Sequence, residues 1–215
     1  MKYTAIVNYG LGNLFSIKNA CNFVGLSSQI TNSKDEISNA NAVILPGVGA
    51  FKQAMESLQS LDLIETIINF SKSNRPLLGI CLGMQLLFEE SQEFGLHDGL
   101  GLVKGKVKRF NVASSLKVPH IGWNSIRKVD DNSWDNNYLK NLKNGDNMYF
   151  IHSYYCQPSD SSIIKSKTKY GDLNFCSAII QDNICGMQFH PERSAVQGLA
   201  IYKNLKNMIM KKNRL

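Results

Sequence analysis

The chain has 215 residues, 43% of them hydrophobic, and carries 24 Lys and Arg against 17 Asp and Glu for a formal charge of +7. That length supports a single domain over residues 1–215 with a core of ordinary size, and no apolar run approaches the ~18 residues of a membrane span. The five cysteines (Cys21, Cys81, Cys156, Cys176 and Cys185) form no C-x-x-C pair, which argues against a disulfide framework or a zinc cluster and, with a strand pattern starting directly after Met1 and Lys2, toward a cytoplasmic protein. The positive charge permits nucleic-acid contact without requiring it. Lysines are scattered, and the densest group (Lys203, Lys206, Lys211, Lys212 and Arg214) lies on a terminal helical pattern, where a solvated face accounts for it. No nucleic acid and no membrane is expected as a partner.

In chain order, residues 3–9 read as a buried strand, Gly10 and Gly12 as a turn, and Leu14, Ile17, Cys21 and Val24 as a helix closed by Gly25. The Gly10-x-Gly12 pair lacks the third glycine of a dinucleotide fingerprint, since position 15 is Phe. Residues 28–31 and 42–45 read as strands, residues 51–71 as one long helix, and residues 76–80 as a fourth strand. That alternation predicts an α/β fold, a doubly wound and mostly parallel sheet covered on both faces. Beyond Gly101 the pattern changes to short strands at 101–108, 118–121, 147–151, 163–169, 175–180 and 184–189, which predicts an antiparallel or mixed extension. Residues 129–147 are polar and loop-rich, with Trp134 and Tyr138 as anchors, and a final helix carries Leu199, Tyr202, Leu205 and Ile209 on one face.

Two stretches carry chemistry. In Gly79-Ile80-Cys81-Leu82-Gly83-Met84-Gln85 a strand runs into a cysteine flanked by glycines and a helical pattern follows, predicted to reach toward Glu90. This is the form of a nucleophile elbow, with sulfur in place of the usual hydroxyl. A thiolate at a helix start lies near the positive end of the dipole, and the Leu82 N–H is a candidate oxyanion donor. More than a hundred residues later, His190-Pro191-Glu192 follows another strand pattern. Cys81, His190 and Glu192 are the parts of a covalent acyl mechanism: nucleophile, base and orienting acid. A buried core cysteine is the bland alternative for Cys81. Three strand ends converge in such a sheet, and beside a cysteine nucleophile the small residues of Pro46-Gly47-Val48-Gly49-Ala50 suit an oxyanion loop. Val48 and Gly49, with glycine's freedom on either side of Val48, are its candidate gate. His97 reads as a loop residue, and His120 and His152 have no second ligand at metal spacing, so no metal and no cofactor is expected.

GICLGMQ at 79–85 with HPE at 190–192 resembles the class I (triad) glutamine amidotransferases. YGLGN at 9–13, PGVG at 46–49, HIGWN at 120–124 and YFIHSY at 149–154, with Met84 where other branches usually carry His, are similar to the branch serving histidine biosynthesis. The resemblance implies that Cys81 forms a γ-glutamyl thioester and that Gly49, Gln85, Glu93, Ser153 and Tyr154 hold glutamine. It further implies a heterodimer with a (β/α)₈ barrel cyclase that uses the ammonia to make imidazole glycerol phosphate and an aminoimidazole carboxamide ribonucleotide. Tyr9, Asn13, Trp123, Tyr149 and Arg193 would lie at or near that interface. Tyr9 and Trp123 also read as core aromatics and Asn13 as a helix cap. Arg193 departs from the Lys of the family pattern, which leaves open an N-acetyl sugar amidotransferase as the partner. The remaining alternatives are a stand-alone cysteine hydrolase and an inactive scaffold protein.

Overall fold

The computed structural model describes residues 3–111 and 116–212; Met1, Lys2 and Arg214 lie outside them. The first half runs β1 (Thr4–Val7), α1 (Leu14–Phe23), β2 (Ser28–Thr31), α2 (Lys34–Asn39), β3 (Ala42–Leu45), α3 (Phe51–Ser60), α4 (Ile64–Ser71), β4 (Leu77–Ile80) and α5 (Leu82–Leu86). It continues through β5 (Phe88–Ser91), β6 (His97–Asp98), β7 (Val103–Arg109), β8 (His120–Ser125), β9 (Arg127–Lys128), β10 (Asn147–His152) and β11 (Tyr154–Pro158). The last elements are β12 (Ile164–Tyr170), β13 (Leu173–Gln181), β14 (Ile184–Met187) and α6 (Ala195–Lys212).

The main sheet has the order β2-β1-β3-β4-β14-β13-β12-β9. Its strands are parallel from β2 through β14 and antiparallel from there on. Every residue of β1, β3, β4 and β14 is buried, which explains their unbroken apolar runs, because a parallel strand under helices has no wet face. Ala5, Val7, Val43 and Leu45 pack on one side with Ile37, Leu58, Ile67 and Phe70 of α2 to α4. Ile6, Ile44, Leu78 and Ile80 pack on the other with Ile17 and Cys21 of α1 and Ile201, Tyr202 and Leu205 of α6. A four-stranded sheet, β11-β7-β5-β6, and the β8–β10 pair flank this body. Trp134 and Tyr138 are buried as anchors of the polar stretch. Among the described residues no helix is long and apolar enough to cross a membrane.

Three expectations need correction. The helix expected over 51–71 is two helices. α3 closes in a Schellman motif, with Asp62 N–H to the Gln59 carbonyl at 2.9 Å and Leu63 N–H to the Leu58 carbonyl at 2.9 Å, and Asp62 takes φ 53° where glycine is usual. The helix expected to reach Glu90 stops at Leu86, because the crossing segment claims its end: Leu100 N–H bonds the Leu86 carbonyl and Leu102 N–H the Leu87 carbonyl, at 2.8 and 2.9 Å. The chain then continues as β5, which pairs with β6 and β7, so His97 lies on a strand instead of a loop. Three further elements have no counterpart among the expectations: α2, capped by the Ser33 side chain accepting from Glu36 N–H, β9 and β11.

Candidate active site

β4 and β14 are neighbours in register, Gly79 beside Gly186 and Ile80 beside Met187. Both deliver a reactive residue at the carboxyl end, where open α/β sheets place their sites. Cys81 follows β4 with φ 55° and ψ −111°, a conformation that costs a non-glycine residue free energy and persists only where its surroundings over-determine it. They do. Cys81 N–H bonds the Met187 carbonyl at 2.7 Å, and the Cys81 carbonyl accepts from Gln85 N–H at 3.2 Å. The glycines on either side are required by close approach: a Cβ on Gly79 would lie 2.7 Å from the Gly83 carbonyl oxygen, and one on Gly83 would overlap the Leu45 carbonyl. α5 has only five residues, so the dipole expected to favour a thiolate is that of little more than one turn, and the strained elbow with its neighbours must do more.

His190 lies three residues beyond the end of β14. Its N–H bonds the Tyr149 carbonyl at 2.9 Å, while the Tyr149 N–H bonds Ser194 Oγ at 3.0 Å and Ser194 Oγ donates to the His190 carbonyl at 2.6 Å. The ring is anchored through Nδ1, 2.8 Å from Glu192 Oε1, and the Glu192 side chain is fully buried. Nε2 is buried with no hydrogen-bond partner in this structure, so it is free to take a proton. Burial pushes the imidazolium down, yet the nearby Cys81 sulfur and the Glu192 carboxylate outweigh it and raise His190 to about 10.

A cavity of about 620 Å³ opens at these two strand ends, and Cys81, His190, Leu82, Gln85, Ser153 and Tyr154 face it. Val48, Gly49, Glu93, Asn13 and Arg193 complete its wall among the predicted residues. Gln85 Nε2 donates to the Tyr154 carbonyl at 3.0 Å and to Gln188 Oε1 at 3.1 Å. Glu93 Oε2 accepts from Phe51 N–H at 2.6 Å; burial raises its carboxyl and that hydrogen bond partly offsets the rise. Gly49 has φ 104° and Val48 is 40% exposed. A Cβ on Gly47, by contrast, would lie 2.7 Å from the Tyr9 hydroxyl and 2.8 Å from Gly83 N, so freedom in this loop is confined to the Val48–Gly49 peptide. A second cavity, about 350 Å³ between residues 136–141 and α6, is lined by asparagine, lysine and methionine, with no cysteine, serine or histidine.

The predicted interface residues divide. Tyr9 is buried at 2% exposure and its hydroxyl donates to the Pro46 carbonyl at 2.6 Å, so it packs in the core and braces the glycine loop. Asn13 stands at the N-cap of α1 without a side-chain capping bond. Trp123 is 54% exposed, edge-on to Tyr149 at 6.2 Å, and the Arg193 guanidinium lies 4.3 Å over the Tyr149 ring. Gln188 is a site residue that the sequence alone does not single out: fully buried, it directs Nε2 at Cys81 Sγ from 3.8 Å. Its one signal is a polar residue between Met187 and Phe189 in an otherwise apolar run. His120 and His152, far apart in the sequence, are cross-strand partners. Among the described residues no group of three or more His, Cys, Asp or Glu could hold a metal ion.

A cysteine on a strained elbow beside a carboxylate-anchored histidine is the arrangement of a covalent acyl-transfer enzyme. The family described as Glutamine amidotransferase class-I matches residues 5–207, and the chain belongs to that family. The fold is shared with solved structures of low identity: PurLQS from Thermotoga maritima, TM-score 0.72 at 18% identity, covers 97% of this chain and 99% of its own. Much nearer in sequence are proteins named imidazole glycerol phosphate synthase subunit HisH. That of Syntrophotalea carbinolica is 42% identical over 94% of this chain and 98% of its own, and that of Chlorobium chlorochromatii 44% identical over 93% and 96%. Within the amidotransferases, the chain belongs with the HisH subunits.

Proposed function

We propose that this chain is the glutaminase subunit of an imidazole glycerol phosphate synthase, hydrolysing glutamine at Cys81 and passing the ammonia to a cyclase subunit in histidine biosynthesis. The observation that carries the chemistry is the meeting of Cys81 and the His190–Glu192 pair at the ends of adjacent strands β4 and β14. The thiol proton passes to His190 Nε2, whose hold on it the sulfur and Glu192 strengthen, and the Cys81 sulfur then attacks the carboxamide carbon of glutamine. Collapse of the tetrahedral adduct breaks the C–N bond, His190 returns the proton to the leaving nitrogen, and ammonia departs from a γ-glutamyl thioester. Water, deprotonated by the same imidazole, then attacks the thioester and releases glutamate and the thiol. Glu192 holds the ring with Nδ1 protonated and stabilises its charged form. The Leu82 and Gly49 N–H groups receive the oxyanion, and Gln85, Glu93, Ser153 and Tyr154 hold the substrate. No metal or cofactor takes part in this scheme.

The partner proposed is a (β/α)₈ barrel cyclase, in a cytoplasmic heterodimer that involves neither nucleic acid nor membrane, and residues 1–215 act as one domain. The HisH relatives favour this partner over a sugar amidotransferase. Asn13, Trp123, Tyr149 and Arg193 are the proposed contact residues. Cys81→Ala is expected to abolish glutamine-dependent synthesis by the complex while synthesis from added ammonium salts stays at the wild-type rate. A Cys81→Ala complex that still used glutamine would refute the nucleophile assignment.

A further inference from the structure

His120 and His152 take no part in the chemistry above, yet both are buried, at 4% and 6% exposure, where a polar ring costs free energy unless it is hydrogen-bonded. Their partners admit one assignment of protons. The Tyr154 carbonyl can only accept, so His152 Nδ1, at 2.8 Å, carries the hydrogen. His152 Nε2 then presents a lone pair, and His120 Nδ1, at 3.3 Å, is its donor. That leaves His120 Nε2 as an acceptor, served by Asn124 Nδ2 at 3.2 Å. The orientation of the Asn124 amide is set independently, because Ser125 N–H bonds its Oδ1 at 2.8 Å and its Nδ2 donates to the Lys169 carbonyl at 2.9 Å.

The line continues inward. The Tyr154 carbonyl that receives His152 also receives Gln85 Nε2 at 3.0 Å; Gln85 donates to Gln188, and Gln188 Nε2 points at Cys81 Sγ. Outward, His120 and Asn124 sit on β8 with Trp123, and His152 ends β10, the strand of Tyr149. Burial pushes His120 down to about 4 and His152 to about 3, so both rings are neutral at neutral pH. His152 also lines the catalytic cavity, and the rest of the pair's surroundings is aromatic, with Phe110, Phe150, Phe175 and Tyr170 packed around it.

We propose that His120 and His152 are positioning residues, a relay of two neutral Nδ1–H imidazoles that fixes the Tyr154 carbonyl and the Gln85 amide at the edge of the glutamine cavity and ties that edge to the β8–β10 hairpin. This inference rests on reading the cavity as a glutamine site. It requires an N–H at the Nδ1 position of residue 152, a demand that mere filling of space does not make. Asparagine at 152 places an amide nitrogen near Nδ1, whereas glutamine reaches toward Nε2. In the complex with saturating cyclase, His152→Gln is expected to raise KM for glutamine about tenfold, the worth of one net hydrogen bond, with kcat little changed, and His152→Asn to keep KM near wild type. Equal KM values for the two variants would overturn the relay. Long-range 15N–1H spectra of the wild-type chain decide the same point without substrate or activity: both rings are expected neutral with the proton on Nδ1, and a proton on Nε2 of either ring at neutral pH refutes it. A wild-type complex unable to hydrolyse glutamine would instead strike the functional reading and leave that spectroscopic outcome standing.

Discussion

Two walls of the same cavity are built in opposite ways. Where β4 and β14 end, the reactive residues are tied down by backbone bonds: Cys81 N–H to Met187, His190 N–H to Tyr149, Ser194 to both Tyr149 and His190. Gly79 and Gly83 leave no room for even a methyl group. Across the cavity, the loop after β3 is pinned at Gly47 and then released. At Gly49, with φ 104°, an added Cβ would meet only Leu11 Cδ2 at 4.0 Å, and Val48 stands 40% exposed. The contrast separates two tasks. Groups that make and break bonds sit on elements that cannot move, because displacement by ~1 Å costs about a hundredfold in rate. A donor whose contribution must be turned on or off belongs on a peptide that rotates at low cost. We propose that a partner controls the rate by binding one loop orientation more tightly than the other.

The rigid wall should give the largest effects. His190→Ala is expected to lower glutamine hydrolysis by about 10⁴-fold or more, close to the loss from Cys81→Ala, with Glu192→Ala losing less; the double variant of Cys81 and His190 should be little worse than either single one. Steady-state glutaminase assays on the four proteins check this, and losses that multiply would show that the two side chains do not act as one unit. The adaptable wall should give the next largest. Gly49→Pro removes the Gly49 N–H and also forbids the observed φ of 104°, so turnover should fall by at least the ~10²–10³ that loss of one oxyanion donor costs. A loss below about threefold, with an unchanged thermal midpoint, would move the donor elsewhere.

The smallest effect concerns stability and lies behind the rigid wall. His120 and His152 are held at about 4 and about 3 in the fold, below the ~6.5 of an unfolded chain. A histidine with a depressed folded value binds its proton more readily when unfolded, so its contribution is full above pH ~6.5 and declines as pH falls toward the folded value. Over that window each ring should add about 1.4 kcal/mol per pH unit to the slope of unfolding free energy. Denaturant titrations of wild type and His152→Gln between pH 4 and 6.5 should differ by about one proton's slope, and parallel curves would mean that His152 is not buried neutral.

Much of the fold was legible because its signals were local. The strands β1, β3 and β4 announce themselves as short apolar runs, and Gly25, with φ 65°, ends α1 in a Schellman motif with Leu26 N–H on the Cys21 carbonyl at 2.8 Å. α3 ends in the same motif, but Asp62 occupies the left-handed position, and without glycine the break was invisible. The Ser33-x-x-Glu36 cap of α2 is present in the sequence, but the six-residue helix behind it is too short to show a periodic apolar face. α5 ends early for a reason no local pattern holds, since the carbonyls of Leu86 and Leu87 are taken by residues beyond β6. In the site, the glycines around Cys81 and the pairing of His190 with Glu192 two residues on were readable as motif and spacing. The roles of Tyr9 and Gln188 and the contact of His120 with His152 were not, because they depend on strand register between stretches far apart in the chain.

The most direct test of the thioester mechanism is acid-quenched mass spectrometry of the complex mixed with glutamine, with and without the cyclase's nucleotide ligand. If Cys81 is the nucleophile and the loop after β3 is the gate, a γ-glutamyl adduct should appear on the peptide containing Cys81 and accumulate much faster when the cyclase is liganded. An adduct confined to Cys21, Cys156, Cys176 or Cys185, or glutamine turnover with no adduct under any quench time, would contradict it.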